Sequence, residues 1–582
     1  MSRLSVQVRS SAPMKEKIMV INELKQKIQD YARGLAGIES NLSNLAIEEP
    51  KNEQFGDLST NAAMVLAPIL KKNPFEIASK VEKELISKWD QIKDVNIVKP
   101  GFINFNLNDE FIKENLKSII ESKEKFGSNR NGKGVSVQLE YVSSNPTGSL
   151  HVGHGRWGAL GDSLANIYSA NGYEVFREYY VNDHGTQAEK FSDCARCLYL
   201  KHFGRITEYP ENGYPEESVS FAVEKLISEH NGRFIVEKNG EKEIEAEPFK
   251  KEIIRIMVSS ICETLALIGV EYDQWFYESS LYKNSNLEKL LTDLKNKDIV
   301  YEEDGALWFR VSRYTEDKDR VVIRKDGKPS YFASDILYLM NKIKRGYDEL
   351  IYVLGADHHG YVDRLKAIGK AMDVAEDRMV IIIGQLVNIV DRGKVLKMSR
   401  RKGKIYTLRD LIEEVGKDAV RYFFSMNSFD TPMDFDISLA KQKSNQNPVY
   451  YVQYAHARIE SILEKIREAN PVNIKMDSYD LDKIDISKIE FKSKSERQLA
   501  KIMILYPDMI YNSCRNNAPY LITGYLYRLA TGFHYFYNNF RVVNDDRDRV
   551  AVDEDRFVLI LLVRQVLRNA LKLLGVSAPQ KM

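Results

Sequence analysis

The sequence predicts a multidomain α/β protein with a parallel sheet at its centre, an α+β module before it and an all-helical bundle after it. Three observations carry this. Strand, turn, helix and strand succeed one another over residues 135–180, a βαβ unit that implies parallel strands with helices on their faces. From residue 411 onward apolar residues recur at helical spacing. The chain, at 582 residues, exceeds what one hydrophobic core organises and fits about three or four domains.

In order along the chain, residues 1–20 read as an N-terminal extension with scattered Arg and Ser and no apolar stretch, so not as a secretory signal; Met14 and Met19 are alternative starts. Residues 21–127 form the α+β module. A helix spans 21–42, a second starts near Ser59 after Gly56-Asp57, and two alternating apolar stretches about Pro100-Gly101 predict a hairpin. Residues 128–410 form the sheet domain. Its strands are expected at 135–142, 174–180, 307–311, 350–354 and 379–383, its first helix at 154–169, and a helical insertion at about 190–300. Residues 411–582 form the bundle, with helices at 447–469, 495–512, 519–537 and 553–574.

Composition sets limits. Hydrophobic residues make up 43% and charged residues 29%, which excludes a disordered chain. Lys plus Arg (84) balances Asp plus Glu (83), so any surface for a polyanion must be a local patch. The apolar run 557–563 falls far short of the roughly 18 residues a membrane span needs. Four cysteines fit a reducing compartment, and a cytoplasmic location is expected. Cys194 and Cys197 form a C-x-x-C inside a helical stretch, with no second pair to complete a zinc site, so no structural zinc is expected.

The chemistry concentrates in His151-Val-Gly-His154, placed where a strand gives way to a helix. Ligands of open α/β sheets bind at that crevice, and the helix N-terminus offers free N–H groups to a phosphate. Gly153 removes a side chain where a nucleotide would approach the backbone, and two imidazoles three residues apart can donate to phosphate oxygens. Lys397-Met-Ser-Arg-Arg follows a strand and a Gly-containing turn, and puts cations (Lys397, Arg400) and a hydroxyl (Ser399, beside Met398) on a loop able to close on a triphosphate. Either motif alone is compatible with core histidines or an exposed basic turn. Asp357-His358-His359-Gly360 follows another strand; its histidines face the nucleotide or a second substrate, with a mononuclear metal site as the alternative. Val181-Asn-Asp-His-Gly-Thr-Gln lines the same crevice or makes a self-satisfied turn. In the bundle, Tyr450, Tyr451, Tyr454 and Arg458, and Tyr525, Tyr527, Tyr535, Phe536 and Tyr537, lie at helix spacing; such stripes are ordinarily core, but aromatics and Arg also stack on unpaired bases.

Together and in this order, the two short motifs resemble the HIGH and KMSKS signatures of class I aminoacyl-tRNA synthetases. Ser144-Asn-Pro-Thr-Gly-Ser-Leu-His-Val-Gly-His, Tyr331-Phe-Ala-Ser-Asp335, Thr407-Leu-Arg-Asp-Leu-Ile-Glu-Glu-Val-Gly, Asn447-Pro-Val-Tyr-Tyr-Val-Gln-Tyr-Ala-His-Ala-Arg458 and Gly575-Val-Ser-Ala-Pro narrow the resemblance to the arginyl-tRNA synthetases. Arg400 departs from the signature's lysine, putting a fork where a point charge is usual and leaving open how Lys397 and Arg400 divide their work.

The resemblance implies a Rossmann-like catalytic domain, an N-terminal domain that meets the corner of the tRNA, and a C-terminal anticodon-binding bundle, into which Asp418-Ala-Val-Arg421 fits. It implies that ATP with Mg²⁺ activates L-arginine, that the 2′-OH of the terminal ribose of tRNA(Arg) takes the arginyl group, and that tRNA must bind before activation. It assigns His151, His154, Lys397 and Arg400 to catalysis, and His151, Gly153, His154, His358, Lys397, Met398 and Ser399 to ATP. Tyr331 and Asp335 take the guanidinium, which carboxylates read best, and Glu140, Asn145, His154 and His359 complete the arginine site. Tyr451, Tyr454, Arg458, Phe536 and Tyr537 are the expected tRNA contacts. No membrane partner is expected, and a monomer is the default. The rival readings are another H-x-G-H nucleotidyltransferase, for which the outer modules have no task, and a non-catalytic tRNA-binding relative, which need not keep His151, His154 and Lys397.

Overall fold

The computed structural model describes residues 19–582 except 39–41, 43, 51, 239, 284–285, 397–405, 470, 472–473, 475–478 and 547–548. In the N-terminal module, helices α1 (Val20–Ala36), α2 (Ala62–Leu70), α3 (Pro74–Lys88) and α4 (Asp109–Ser122) accompany strands β1 (Ile47–Glu48), β2 (Leu58–Thr60), β3 (Ile92–Val98) and β4 (Phe102–Leu107). The strands form an antiparallel sheet ordered β1-β2-β4-β3, and β3 and β4 are the hairpin the alternation predicts. Asn73 and Asn108 start α3 and α4 by accepting the N–H two residues on, satisfying an amide that a helix start leaves free.

The central domain opens with β5 (Ser136–Tyr141), α5 (Val152–Ala170) and β6 (Glu174–Val181). An insertion follows: α6 (Thr186–His202), α7 (Glu216–His230), the hairpin β7 (Ile235–Lys238) and β8 (Glu241–Ile244), and α8 (Ala246–Leu267). The chain then returns to the sheet in β9 (Gln274–Tyr277), so the insertion expected to reach residue 300 closes earlier and contains a strand hairpin. After α9 (Asn286–Asn296) come β10 (Val300–Glu303), β11 (Ala306–Phe309) and β12 (Arg320–Ile323), which make an antiparallel sheet of their own. The strand expected at 307–311 therefore lies outside the parallel sheet: its neighbours in sequence are close enough to pair as hairpins. The core ends with α10 (Tyr331–Arg345), β13 (Glu349–Gly355), α11 (Val362–Ala371) and β14 (Met379–Gly384).

The parallel sheet has the order β14-β13-β5-β6-β9. The chain runs outward from β5 through β6 to β9, then restarts on the other side at β13, so the sheet's switch point lies between β5 and β13. Strand β5 is covered on both faces, with Val137, Leu139 and Tyr141 buried on one and Gln138 and Glu140 on the other, as a central parallel strand must be.

Beyond the sheet, β15 (Val387–Asp391) and β16 (Lys394–Leu396) lead into the second signature, and α12 (Leu408–Val415), α13 (Lys417–Phe424), β17 (Met433–Asp436) and α14 (Ile437–Ala440) follow it. Strand β17 pairs in parallel with β15, so the segment expected to be wholly helical from residue 411 contains, after α13, a strand that belongs to the signature's stem. The bundle comprises α15 (Pro448–Ala469), α16 (Lys494–Ile504), α17 (Tyr506–Arg515), α18 (Tyr520–Asn539) and α19 (Glu554–Leu573), interrupted by a hairpin of β18 (Val543–Asp546) and β19 (Arg549–Val552). Among the described residues no helix is long and apolar enough to cross a membrane.

Buried charges lock the parts together. Asp508 on α17 accepts the backbone N–H groups of Ile21 (3.1 Å) and Asn22 (3.0 Å), capping α1 from another domain. Arg497 on α16 binds Asp57 at 2.8 Å, Asp109 at 2.6 Å and the Leu107 carbonyl at 2.6 Å. Arg421 on α13 is fully buried and reaches Asp162 of α5 (2.6 Å), the Ile268 carbonyl (2.9 Å) and the Leu574 carbonyl (2.5 Å). Gly575 sits at φ 65°, and a Cβ there would strike the Arg421 guanidinium, so only glycine fits.

Candidate active site

The two signature histidines cap their own helix. His151 Nδ1 accepts the His154 N–H at 3.3 Å, and His154 Nδ1 accepts the His151 N–H at 3.2 Å. Both Nδ1 atoms are thus acceptors, which leaves the proton of each neutral ring on Nε2. The rings stack at 3.6 Å between centroids, with Trp157 edge-on to both. Burial, reinforced by the neighbouring His151, holds His154 well below the usual histidine range. The pair therefore presents Nε2–H donors at a helix N-terminus, suited to phosphate oxygens, with burial favouring the neutral form of His154. Gly153 has a protein reason besides nucleotide approach: a Cβ there would lie 2.9 Å from His151 Cε1.

A second cluster lies along α10 and the ends of β5, β6 and β9. Asp335 accepts a hydrogen bond from Tyr361 Oη at 2.6 Å, and burial, with the charge of Glu278 added, pushes its carboxyl up to about 7. Glu278, just after β9, is only 2% exposed; burial pushes it to about 7 as well, and its Oε2 has no hydrogen-bond partner among the described residues. Ser334, one residue before Asp335, joins Tyr282 at 2.6 Å, and His184 stacks on Tyr282 at 4.6 Å. Tyr331 opens α10, half-exposed, beside Gly185, where a built Cβ comes within 3.6 Å of its ring. Two desolvated carboxyls thus stand among tyrosines, an arrangement whose charge a planar, non-titrating cation would satisfy.

Glu140, at the end of β5, is differently placed. Its Oε2 meets Lys342 Nζ of α10 at 2.5 Å, and its Oε1 accepts from Ser143 Oγ at 3.1 Å. Lys342 is fully buried between the rings of Tyr352 (3.7 Å) and Tyr338 (4.5 Å). Asn145 is exposed beyond the strand and its Oδ1 accepts from Asn182 Nδ2 at 2.8 Å. Asp183 is held by Ser279 through N (2.8 Å) and Oγ (2.6 Å), so the Val181–Gln187 stretch holds a satisfied turn, with His184 and Gly185 beside Tyr282 and Tyr331.

His358 and His359 fall in the short 3₁₀ helix Ala356–Tyr361 at the end of β13, and their side chains lie outside the described residues. Lys397, Met398, Ser399 and Arg400 lie wholly outside them, although the stem that carries them, β15 to β17, is described.

Comparison with known proteins decides which chemistry this is. A model of the class I (R) tRNA synthetase catalytic domain matches residues 115–435, an arginyl tRNA synthetase N terminal domain model matches 22–107, and a DALR anticodon binding domain model matches 452–582. The arginine–tRNA ligase of Caldanaerobacter subterraneus subsp. tengcongensis is 40% identical over 577 residues, covering 97% of this chain and all of the relative. That of Bacillus subtilis is 41% identical over 544 residues, covering 94% of this chain and 95% of the relative. The chain belongs to the arginyl-tRNA synthetase family.

The fold agrees: the Thermus thermophilus arginyl-tRNA synthetase structure superposes with a TM-score of 0.72 over 97% of this chain and all of that one, at 20% identity. As a class I arginine–tRNA ligase the protein uses ATP as a substrate, and its Rossmann-like catalytic domain carries the histidine pair at the sheet's switch point.

In the synthetase's bundle the expected tRNA contacts separate. Tyr450 and Tyr454 stack at 5.7 Å, and the Arg458 guanidinium lies 4.5 Å from the rings of both Tyr454 and Tyr537. Tyr451 packs on His534 (4.6 Å) and Tyr527 (5.2 Å). Phe536 is fully buried in the bundle core, so it has no face to offer a base; on α18 the exposed aromatics are Tyr520, Tyr527, Tyr535 and Tyr537. Helical spacing alone could not tell these neighbours apart.

Cys194 and Cys197 lie on α6 as expected, buried, and each serves the loop that follows: Cys194 Sγ accepts the Tyr214 N–H and Cys197 Sγ donates to the Glu208 carbonyl, both at 3.3 Å. Among the described residues, Glu229, His230 and Glu252 alone are close enough to hold a metal, but Arg255 already binds both carboxylates. Sequence reasoning missed Glu278, Tyr361 and Lys342. A carboxylate in Tyr277-Glu-Ser-Ser-Leu-Tyr gave no periodic signal, and only the return of the chain into β9 buries it.

Proposed function

We propose that the recess between Asp335 and Glu278 takes the guanidinium of L-arginine, while His151 and His154 hold the phosphates of ATP, so that the arginine carboxylate attacks the α-phosphate in line. The observation that carries this is the pair of desolvated carboxyls, both raised to about 7, one with a buried oxygen left unpartnered among the described residues. Such a pair is costly unless a cation joins it, and a guanidinium supplies planar paired donors that a lysine ammonium lacks.

Tyr331 closes the recess, Asn145 with Asn182 faces the amino-acid end, and Glu140 acts from behind, through Ser143 and Lys342. Neutral Nε2–H donors on His151 and His154 stabilise charge developing on the α-phosphate; Gly153, Lys397, Met398, Ser399 and Arg400, with His358 and His359, complete the ATP and arginine sites by family resemblance. Mg²⁺ enters with the nucleotide, whose phosphates supply its oxygens. The terminal ribose of tRNA(Arg) then takes the arginyl group. The half-buried ladder of Tyr450, Tyr451, Tyr454 and Arg458, with exposed Tyr537 beside it, reads anticodon bases by stacking, and the module over residues 21–127 meets the tRNA corner. The protein acts as a cytoplasmic monomer in this reading.

Aminoacylation by purified protein with single radiolabelled amino acids tests the proposal. Charging of tRNA(Arg) with arginine and not lysine is expected; equal charging with lysine would remove the two-carboxylate recess as the reader.

A further inference from the structure

Two residues after His154, Arg156 is fully buried. Its guanidinium donates from Nη1 to the Gln385 carbonyl at 3.2 Å, and from Nη2 to the carbonyls of Ser428 (2.7 Å) and Thr431 (2.8 Å). Backbone carbonyls, not a carboxylate, hold it, and burial lowers it to about 10. A buried cation held by carbonyls, with the charge of Asp430 acting on it but no carboxylate bonded to it, is an expensive way to fix a helix, and an apolar side chain of like volume would fill the space at less cost. The carbonyls it selects are informative. Gln385 joins β14 to β15, while Ser428 and Thr431 lie in the loop that enters β17. Strands β15 and β17 pair in parallel as the stem from which the second signature projects. On the next residue, the Trp157 indole fills the space where a Gly384 side chain would stand, so α5 is fitted against the same joint by shape as well.

We propose that Arg156 is a positioning residue of the adenylation step, fixing the stem of the second signature against the helix of the first so that both converge on one triphosphate. The inference rests on the nucleotide reading above. Each signature holds a different end of the reacting phosphates, and a shift of about 1 Å between groups that must act together costs on the order of a hundredfold in rate. Three carbonyls from two separate segments, gathered on one planar fork, fix rotation as well as distance, which a lysine ammonium does only in part.

The test is arginine-dependent pyrophosphate exchange in the presence of tRNA(Arg), measured on the full chain for Arg156→Met and Arg156→Lys. Expected is a fall in kcat of about a hundredfold for R156M, with partial recovery in R156K, while the dissociation constant for arginine, read by calorimetry, stays within twofold of the parent. Hydrogen exchange in R156K is expected to quicken over residues 385–396 and 428–436 and to remain unchanged in the bundle; this readout stands if R156M does not fold. Unchanged kcat in R156K together with unchanged exchange, or loss of arginine binding in proportion to kcat, overturns the proposal. Failure of the parent protein to charge arginine would instead overturn the functional reading, and the two failures are distinct.

Discussion

Lys342 Nζ and Glu140 Oε2 meet at 2.5 Å with the lysine side chain fully excluded from water and the glutamate nearly so. Burial works to lower the lysine, and the surrounding carboxylates Glu140 and Glu178 work to keep it charged. Removing one partner strands the other. Lys342→Met is expected to cost about 3–5 kcal/mol in urea unfolding, and Lys342→Met with Glu140→Gln to recover most of it. Equal losses in the single and double variants would mean that packing on Tyr352 and Tyr338, rather than charge, is what Lys342 supplies.

Asp335→Asn and Glu278→Gln keep the shape of the recess and remove its charge. Each is expected to raise KM for arginine by two to three orders of magnitude, about 3–4 kcal/mol for a charged hydrogen bond lost in a buried site, with KM for ATP nearly unchanged. Steady-state kinetics with each substrate varied in turn checks this, and parallel loss for both substrates would count against the assignment.

The same carboxyls make arginine capture depend on pH. Both must be ionised to hold a guanidinium, and both are raised to about 7 by burial. Catalytic efficiency for arginine is therefore expected to level off only above about pH 8 and to fall as the pH drops through 7, more steeply than a single ionisation allows. A profile flat down to pH 5.5 would show that neither carboxyl titrates on the way to the complex.

How much of this was legible beforehand follows from particular elements. The run β5, α5, β6 could be read because a buried parallel strand, a turn and a helix each leave a local pattern. Strands β9 and β17 could not: four residues at a sheet edge carry no periodicity distinct from a loop. Lys342 stands in a basic stretch with Lys344 and Arg345 that reads as a solvated helix end, and only the pairing of β13 with β5, which sets Tyr352 and Glu140 against it, encloses it. The histidine pair was legible as a motif, but the exchange of Nδ1 atoms that fixes its tautomer exists only in the folded helix start.

Exposure divides the bundle's aromatics into two predicted classes. Arg458→Ala is expected to weaken tRNA(Arg) binding about tenfold, the worth of one stacked base, without altering KM for arginine. Phe536→Ala, in the core, is expected instead to lower stability by about 3–5 kcal/mol, as a buried phenyl leaves a cavity. Filter binding and thermal unfolding of both variants separate the two; reversed outcomes would exchange their roles.

Asp508 sets a further dependence. Burial raises its carboxyl to about 7, against the pull of the α1 amides that favour its charged form. A group raised in the folded state holds its proton where the unfolded chain has lost it, so its contribution is complete below about pH 4 and disappears as the pH climbs through 7. Chemical denaturation at pH 5 and pH 8 is expected to show a decline in the parent that Asp508→Asn largely removes; an identical decline in both would place its origin elsewhere.

The helix that carries the histidines owes its footing to Arg421, 259 residues further along, which in turn leans on a carbonyl 153 residues beyond itself. During synthesis, the parallel strands can pair long before that last support has left the ribosome. The nascent enzyme thus spends roughly the last third of its elongation with the back of its nucleotide cleft unbraced, and rigidity arrives there only when the final helix docks.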